Sequence, residues 1–518
     1  MAALVVAVIA CSDREDGVDA GPVSEVSLIP LPESLSYGQT NITLPDVVGL
    51  TDDMPGVAAQ LLGKTLESSA GGIEVLSVPN EKAFIRSTKD ASMAAEAYRI
   101  KISADGVEIA YSSDKGFFWG VQTLRQIILQ APAGKIPELT LEDCPKKGWR
   151  GFHIDVARHM FSMEFLKKIV DVLSFYKINK LQLHLTDDQG WRIEIKKYPQ
   201  LTEIGCWREF DEYDNDCLNR LKSDPDYFID PRYVRNNTEY GGYYTQAELR
   251  DFAAFAAERG IDVIPEIDMP GHFMSAIKTF PDLSCIGEAG WGREFSFPVC
   301  AGKTENYGFF TDILDEVLDV FPSEYVHIGA DEVEKDNWRK CDRCQALIRE
   351  HNLGNVDGLQ NYFVGVMADY LKSKGRKVMA WDDAFIARDP QNLVYTFWRD
   401  WKADNPGKIT QAGYPIVFME WGHFYFYSKP SDEQLRALYE FNCEPQFTGI
   451  VDSNMLGYQA CVFTEIIPNE RKFGQQVFPS LQAFAELAWG SRREWSNFRR
   501  RLPWHLTWLN QNGIHYRK

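Results

Sequence analysis

The feature that most constrains the fold is a regular alternation of short apolar segments with helical segments, which begins near residue 149. Each apolar segment is rich in β-branched and aromatic residues and ends in polar or aromatic side chains. Near-continuous apolar runs are typical of parallel strands that are covered on both faces. The eight predicted strands begin near Trp149, Lys180, Ile261, Tyr325, Lys377, Leu393, Ile416 and Tyr458. Eight strands alternating with helices predict a (β/α)8 barrel.

The segments between these strands have helical periodicity. In 162–176, apolar residues recur at Phe165, Leu166, Ile169, Val172 and Leu173, which is the spacing of one helix face. Further helices are predicted at 245–259, 304–321, 359–372 and 480–489, the last of which is expected to be the final helix.

Length suggests two domains rather than one, and we expect a signal-like segment and tether at 1–25, a first domain at 26–145 and the barrel at 146–518. The polar, acidic stretch 12–21 is the predicted tether.

Two adjacent carboxylates, Asp331 and Glu332, follow the predicted strand 325–328. An acidic pair can also lie on a solvated surface, but the carboxyl ends of barrel strands are where such folds carry their active sites. Ordinary retaining glycosidases need an acid and a nucleophile that face each other about 5 Å apart. Because adjacent strand residues point to opposite sides, Asp331 and Glu332 are not expected to form that facing pair.

Four motifs, in this order, resemble glycoside hydrolase family 20, the β-N-acetylhexosaminidases. They are Trp-Arg-Gly-Phe-His-Ile-Asp-Val-Ala-Arg-His at 149–159, Thr-Asp-Asp-Gln-Gly-Trp-Arg at 186–192, Pro-Gly-His at 270–272 and His-Ile-Gly-Ala-Asp-Glu at 327–332. The resemblance covers nearly all the chain after residue 25, and it implies that 26–145 form a smaller α/β domain with an antiparallel sheet before the catalytic barrel at 146–518. It implies an exo-acting enzyme of bacterial type that removes terminal β-linked N-acetylglucosamine or N-acetylgalactosamine. It also implies a retaining mechanism in which the substrate's 2-acetamido group is the nucleophile.

The resemblance assigns catalytic roles to five residues. Glu332 would be the general acid and base, which requires a raised pKa, and Asp331 would accept the acetamido N–H. Tyr425 would hold the acetamido oxygen from the opposite side. His272 and Asp187 match a hydrogen-bonded pair that assists the catalytic glutamate.

Other residues are implied to bind the sugar. Arg150 has planar donors suited to two adjacent hydroxyls, O3 and O4, although a structural pairing with a carboxylate such as Asp155 is the alternative. Trp381 and Trp398 would surround the acetamido methyl group, although tryptophan is more often simply packed. Glu465 would accept a hydrogen bond from the O4 or O6 hydroxyl.

The chain departs from the family pattern at three positions. Ala330 replaces a glycine before the carboxylate pair, Tyr427 stands where the family has an aspartate if Tyr425 is the family tyrosine, and Phe463 replaces a tryptophan that floors the sugar. The latter two changes predict weaker control of the C4–C6 edge of the sugar.

Ten cysteines in 518 residues are too dilute for a disulfide scaffold. The pair Cys341-x-x-Cys344 lacks an evident second ligand pair, so it is interpreted as buried thiols or a local bridge. We therefore expect no metal and no redox cofactor. The net charge of −19 argues against nucleic acid or anionic membrane surfaces as partners.

The amino-terminal segment carries a prediction about location. The apolar run Ala2–Ala10 ends at Cys11, which resembles a bacterial lipoprotein processing site, although the usual basic start is missing and coincidence is the alternative. The run is too short to span a membrane. A lipid anchor at Cys11 would place the chain in the periplasm or at the outer membrane, facing the exterior.

Two rival functions fit the same barrel. One is a non-catalytic carbohydrate-binding protein, against which the retained Asp331–Glu332 pair argues. The other is a disaccharide-releasing enzyme similar to a lacto-N-biosidase, for which the insertion 196–244 would build or block the required second subsite.

Overall fold

The computed structural model describes residues 25–69, 72–385, 393–444 and 446–516. The predicted processing site at Cys11 lies outside these residues, so its lipidation stays a prediction. Contacts divide the chain into a smaller unit that includes Pro32–Cys144 and a larger unit that includes Ile29–Leu31 and Pro145–Lys518. Across the described ranges, no helix has both the length and the apolarity that a membrane span requires.

The smaller unit is built on a seven-stranded sheet with two helices. In sheet order, the strands are Ser34–Thr43, Lys135–Asp143, Tyr98–Ser103, Gly106–Tyr111, Ile85–Lys89, Val47–Thr51 and Glu74–Val78. The first three pairings are antiparallel and the last three are parallel, so the expected antiparallel sheet is in fact mixed. The helices are Gly56–Ser68 and Asp114–Leu129.

The larger unit contains a closed barrel of eight parallel strands, which confirms the predicted fold. The strands are Trp149–Asp155, Lys180–His184, Asp262–Glu266, Tyr325–His327, Lys377–Trp381, Leu393–Phe397, Ile416–Phe418 and Met455–Val462. We refer to them as barrel strands one to eight. Strand eight pairs with strand one, Gly457 with Trp149 through Val462 with Ile154, and so closes the barrel. Trp149, Ile264, Met379, Val394 and Val417 pack together as part of its interior.

Helices follow the strands as the apolar periodicity predicts. The longer ones in this unit are Met163–Phe175, Glu212–Leu221, Gln246–Ala257, Tyr307–Val320, Asp342–Glu350, Val356–Ser373, Asp432–Glu440, Glu470–Val477, Ser480–Trp489 and Trp495–Gln511. Several begin at side-chain caps; for example, Ser162 accepts from Phe165 N–H, and Thr245 forms a reciprocal capping box with Glu248. The expectation that 480–489 is the final helix is wrong, because Trp495–Gln511 follows it.

The insertion between strands two and three forms its own small structure. It contains the helix Glu212–Leu221 and a three-stranded sheet of Trp207–Glu209, Glu239–Gly241 and Val234–Arg235. With the segment around Trp291, it lines a cavity of about 850 Å³ that also reaches Asp188.

Candidate active site

A pocket of about 100 Å³ lies at the carboxyl ends of the barrel strands, where such barrels carry their active sites. It is lined by Arg158, His184, Asp187, Asp268, His272, Asp331, Glu332, Trp381, Trp398, Tyr425, Tyr427, Phe463 and Glu465. The structure therefore brings together nine of the ten residues that the sequence singles out. Arg150 is not among the lining residues.

A tight turn after strand four places Asp331 and Glu332 in the same pocket. Gly329, Ala330 and Glu332 all have positive φ, at 64°, 73° and 50°. A Cβ on Gly329 would lie 1.7 Å from Asp268 Oδ1, so only glycine fits there. Asp268 Oδ1 accepts the Ala330 N–H at 3.1 Å and stabilises the turn. The carboxylates follow the end of the strand, so strand alternation does not decide their directions.

Asp331 is a buried carboxylate with an unused acceptor. Its side chain is 16% exposed, and Oδ1 has no hydrogen-bond partner among the described residues. Burial, only partly offset by His272, raises the pKa of Asp331 to about 7, and the charge of Glu332 adds to the rise. Burial and the charge of Asp331 also raise the pKa of Asp268 well above its usual range. A buried acceptor without a partner in a pocket is suited to an N–H donor from a ligand.

His272 lies between two groups of carboxylates. Its Nε2 is 3.3 Å from Glu332 Oε2 and 3.8 Å from Asp331 Oδ2, and its Nδ1 is 3.3 Å from one oxygen each of Asp187 and Asp188. Burial lowers the pKa of His272, but Asp187, together with hydrogen bonds to Asp188 and Glu332, raises it well above the ordinary histidine value. The surrounding carboxylates therefore favour the protonated ring, whose Nε2 faces Glu332.

Arg158, rather than Arg150, is the arginine of the pocket. Its guanidinium contacts Asp187 Oδ2 at 2.7 Å, Gln189 Oε1 at 3.0 Å and Asp155 Oδ2 at 3.4 Å, and it lies 5.4 Å from the centre of the Phe463 ring. Burial opposes ionisation of Asp187, but the Arg158 charge and then His272 hold its pKa well below its usual range.

The assignment of Arg150 to the sugar is wrong, because Arg150 lies near the start of strand one, at the opposite end of the barrel. Its guanidinium donates to the carbonyls of Lys177 and Lys147 at 2.9 Å and packs over Trp489. The alternative partner Asp155 is also wrong for Arg150, since Asp155 contacts Arg158.

A charged network supports the pocket from within the barrel. Glu266 is fully buried and contacts His184 Nδ1 at 2.9 Å, His327 Nδ1 at 3.2 Å, His153 Nε2 at 3.3 Å and Trp381 Nε1 at 3.0 Å. Burial acts to raise the Glu266 pKa, but the His184 and His327 charges outweigh it and hold the pKa well below normal. This network fixes the Trp381 ring at the pocket wall.

The same network continues to the catalytic loop. His184 Nε2 lies 2.9 Å from Asp187 Oδ2, and Asp187 in turn faces His272. Alternating acidic and imidazole groups therefore run from Glu266 through His184, Asp187 and His272 to Glu332. This arrangement orients the Glu332 side chain without a direct contact to the barrel interior.

Aromatic rings form one side of the pocket. Tyr425 stacks on Phe463 with 5.5 Å between ring centroids and 25° between planes, and Trp398 lies 6.4 Å from Tyr425. Trp398 donates its indole N–H to Asp383 at 2.7 Å. Burial, followed by the charge of Asp382, raises the pKa of Asp383 to about 6.

Tyr427 and Glu465 occupy the outer part of the pocket. Tyr427 is 41% exposed, and its hydroxyl accepts a hydrogen bond from the Trp421 indole N–H. Burial raises the pKa of Glu465, although Arg158 opposes the rise. Both side chains border the same space as Arg158 and Phe463.

Sequence reasoning missed Arg158, His184 and Asp268 as lining residues. A positional signal was available, because each lies at or within three residues after the end of a barrel strand, where the rim of the barrel is built.

The described residues also bring four cysteines together outside the pocket. Cys285 and Cys300 lie beside Cys341 and Cys344, and the four sulfur atoms are all within 4.8 Å of one another. The interpretation that Cys341-x-x-Cys344 lacks a second pair is therefore wrong. The second pair is 41 to 59 residues away in the chain.

Comparison with known proteins gives consistent matches along both units. Residues 148–492 match the family model described as glycosyl hydrolase family 20, catalytic domain, and residues 25–144 match domain 2 of the same family. The chain is 30% identical to a β-hexosaminidase of Porphyromonas gingivalis over 99% of this chain and 67% of that protein.

Two solved structures are also similar. One is the exo-β-N-acetylglucosaminidase of Vibrio harveyi in complex with N-acetylglucosamine, at 29% identity and a TM-score of 0.81, over 96% of this chain and 79% of that one. The other is the β-N-acetylhexosaminidase of Bacteroides fragilis, at 28% identity and a TM-score of 0.77, over 94% of this chain and 96% of that one.

Proposed function

The chain belongs to glycosyl hydrolase family 20 and is a glycoside hydrolase, and we propose that it removes terminal β-linked N-acetylhexosamine by a substrate-assisted, retaining mechanism. The observation that carries the mechanism is the unpartnered Oδ1 of Asp331 in a pocket that also contains Glu332. An acetamido N–H is a donor that would satisfy this buried oxygen.

The first step needs a nucleophile and an acid. The carbonyl oxygen of the substrate's 2-acetamido group attacks C1 while the bond from C1 to the glycosidic oxygen breaks. Glu332 donates its proton to that departing oxygen, which leaves as an alcohol. The product of this step is an oxazolinium ion, and Asp331 stabilises it by accepting its N–H.

The second step restores the acetamido group. Glu332, now a carboxylate, removes a proton from water, and the water oxygen attacks C1 from the face that the alcohol left. The C1–O bond of the oxazolinium ring breaks, and the released sugar keeps the β configuration. The requirement for a raised Glu332 pKa in the first step stays a prediction.

The remaining pocket residues support binding and orientation. Trp381, Trp398 and Tyr425 would enclose the acetamido group, since all three rings line the pocket and Trp398 lies beside Tyr425. Arg158 and Glu465 offer a donor and an acceptor for sugar hydroxyls, which is the role that the sequence prediction gave to Arg150. Phe463 provides an apolar surface for the ring, with less area than a tryptophan.

The acid role is tested by Glu332→Gln. We expect turnover of N-acetylhexosaminides with poor leaving groups to fall by about 10² to 10⁴, since general acid assistance contributes that range. An activated aryl leaving group needs less protonation and should lose less. Glu465→Gln, in the same pocket, serves as the matched control and should impair both substrates equally. Equal losses for Glu332→Gln would contradict the assignment.

The nucleophile is tested with the substrate rather than the protein. A plain β-glucoside should not be cleaved, a thiazoline analogue of the oxazolinium ion should inhibit strongly, and NMR of the first product should show the β anomer. A covalent sugar adduct on a protein carboxylate, or an inverted product, would rule out this mechanism. Product analysis with chromogenic lacto-N-bioside would identify the disaccharide-releasing alternative.

For location, we keep the proposal that Cys11 carries a lipid. Metabolic labelling with an alkyne fatty acid should mark the full chain expressed in a bacterium, and Cys11→Ala should abolish the label. Labelling that persists in this variant, or no labelling of the wild type, would refute the anchor.

A further inference from the structure

The cluster of Cys285, Cys300, Cys341 and Cys344, named here the cysteine cluster, has the dimensions of a metal site. The sulfur atoms are 3.6 Å apart in Cys300–Cys344, 3.7 Å apart in Cys300–Cys341 and 3.8 Å apart in Cys285–Cys344. Zinc binds thiolate sulfur at about 2.3 Å with tetrahedral geometry, which places the sulfur atoms about 3.8 Å apart. The observed separations agree with that edge length.

The same distances do not select a disulfide pairing. A disulfide needs sulfur atoms about 2.05 Å apart. Cys300 is nearly equidistant from Cys341 and Cys344, and Cys344 is also close to Cys285. Four sulfur atoms that lie near one another without forming distinct pairs indicate that they could bind one central metal ion.

The surrounding structure positions all four sulfurs. Cys341 precedes the helix Asp342–Glu350, and Cys344 lies in its first turn. The other two flank the loop 285–300, whose ends are joined by an antiparallel bridge between Ser284 and Val299. The Cys300 N–H also donates to the Leu283 carbonyl at 2.7 Å. The cluster is thus assembled from two short, separately braced segments.

We infer that the cysteine cluster holds one Zn²⁺ as a closed structural site. Four thiolates complete the tetrahedral coordination of zinc and leave no position for water or substrate. Thiolate sulfur is also a soft ligand that favours zinc over magnesium or calcium. Cys300 and Cys344 are buried, while Cys285 and Cys341 are partly buried, which suits a stable site with limited solvent access.

The zinc would connect the loop 285–300, which contacts segments next to the active site, to the helix Asp342–Glu350. Within the loop 285–300, Ser296 Oγ donates to Asp188 Oδ1 at 2.7 Å, and the Arg293 N–H donates to Glu334 Oε2 at 3.1 Å. Asp188 faces His272, and Glu334 is two residues beyond Glu332. The ion would therefore hold this loop against the helices that follow the catalytic turn. Loss of the ion should therefore lower turnover. That expectation rests on the proposed function, whereas zinc binding itself does not.

The direct test is metal analysis of the full chain purified without chelator or added metal. We expect about one zinc per chain by mass spectrometry of metals, and four sulfur neighbours at about 2.3 Å in zinc X-ray absorption. Cys341→Ser and Cys344→Ser should lose the zinc, and Cys443→Ser, outside the cluster, should retain it. Bound iron in place of zinc would overturn the metal assignment.

A second measurement does not depend on the variants folding. Titration of the wild-type chain with a mercurial reagent should release one zinc as four thiols react, and intact mass after denaturing alkylation should show all four as thiols. Two disulfides and no zinc would overturn the proposal. A chain that binds zinc but does not hydrolyse N-acetylhexosaminides would refute the proposed function and leave the zinc site standing. A chain that hydrolyses them but contains no zinc would refute the zinc site and leave the proposed function standing.

Discussion

Two buried carboxylates in the same barrel, Glu266 and Asp331, are in opposite states. Glu266 contacts three histidines and an indole N–H, and these partners hold its pKa well below normal. Asp331 has one oxygen without a hydrogen-bond partner in the described part of the chain, and its pKa is raised to about 7, chiefly by burial. Burial is common to both, so the number of partners makes the difference. The satisfied carboxylate stabilises the protein, and the unsatisfied one is prepared for a ligand.

The contrast predicts opposite effects on stability, and this is the largest effect expected. Glu266→Gln should lower the free energy of unfolding by about 3 to 5 kcal/mol, because it removes the buried carboxylate that pairs with His184 and raises the pKa of that histidine despite its burial. Asp331→Asn removes a charge that lacks a full set of partners, so it should leave stability unchanged or higher while activity falls. Urea unfolding at pH 7.5, an assay condition at which Asp331 is mostly ionised, would measure both. A stable Glu266→Gln variant would contradict the contrast.

The pH dependence of stability sharpens the same comparison. Folding raises the pKa of Asp331 from 3.8 to about 7, so the folded chain binds this proton more tightly than the unfolded chain. The stabilising contribution is complete below the unfolded pKa and is lost as pH rises through about 7. Asparagine does not ionise, so Asp331→Asn should not lose stability in this way as the pH rises. Its stability relative to wild type should therefore increase between about pH 4 and 7 and level off above that range.

Activity should follow the opposite direction with pH. Only the ionised Asp331 can both accept the acetamido N–H and offset its developing positive charge. We expect kcat/KM to rise with an apparent pKa near 7 in the free enzyme and this limb to be missing in Asp331→Asn. Since Asp331 is coupled to neighbouring groups, the measured value belongs to the set. If Asp331→Asn keeps the rise of kcat/KM near pH 7, the ionisation that causes this rise belongs to another group.

The two arginines near the ends of strand one extend the comparison to the whole barrel. Arg158→Lys should weaken sugar binding and catalysis by about 1 to 3 kcal/mol, since lysine cannot reproduce planar contacts to Asp187 and Gln189. Arg150→Lys is the matched control, and it should lower stability with little change in KM. Kinetics and urea unfolding of both variants would test this. A larger change in KM for Arg150→Lys than for Arg158→Lys would return the sugar-binding role to Arg150.

The smallest expected effect concerns Ala330. Its φ of 73° is left-handed, a region that costs alanine about 1 kcal/mol relative to glycine. Ala330→Gly should therefore raise the free energy of unfolding by about 0.5 to 1 kcal/mol with unchanged kcat/KM. As a control, Ala276→Gly in the short helix Met274–Thr279 should destabilise the protein by a similar amount. Thermal unfolding would detect both shifts.

The sequence could predict the barrel because strand and helix periodicities are local properties. It could also locate most pocket residues, since strand ends are recognisable and a rim is built from them. Arg150 was misassigned because both Arg150 and Arg158 lie in one motif, and only their position along the strand separates the two ends of the barrel. The cysteine cluster was missed because nothing local indicates that 285–300 folds back on 341–344.

The conformation of the turn at 329–332 also could not be predicted from the periodicity of the sequence. Its direction depends on the contact of Gly329 and Ala330 with Asp268, which lies more than sixty residues earlier. The mixed sheet of the smaller unit has the same explanation, because pairing direction depends on connections between distant strands rather than on the strand sequence.

The pairing of strand eight with strand one has a consequence for how the protein acquires activity during folding. The two strands are separated by about three hundred residues, and Thr464, just after strand eight, donates to Asp155 at the end of strand one. Asp155 in turn contacts Arg158 of the pocket. Because such distant contacts form slowly, refolding chains should regain helical structure well before hydrolysis. The rate at which turnover recovers should therefore report the rate at which strands one and eight pair and close the barrel.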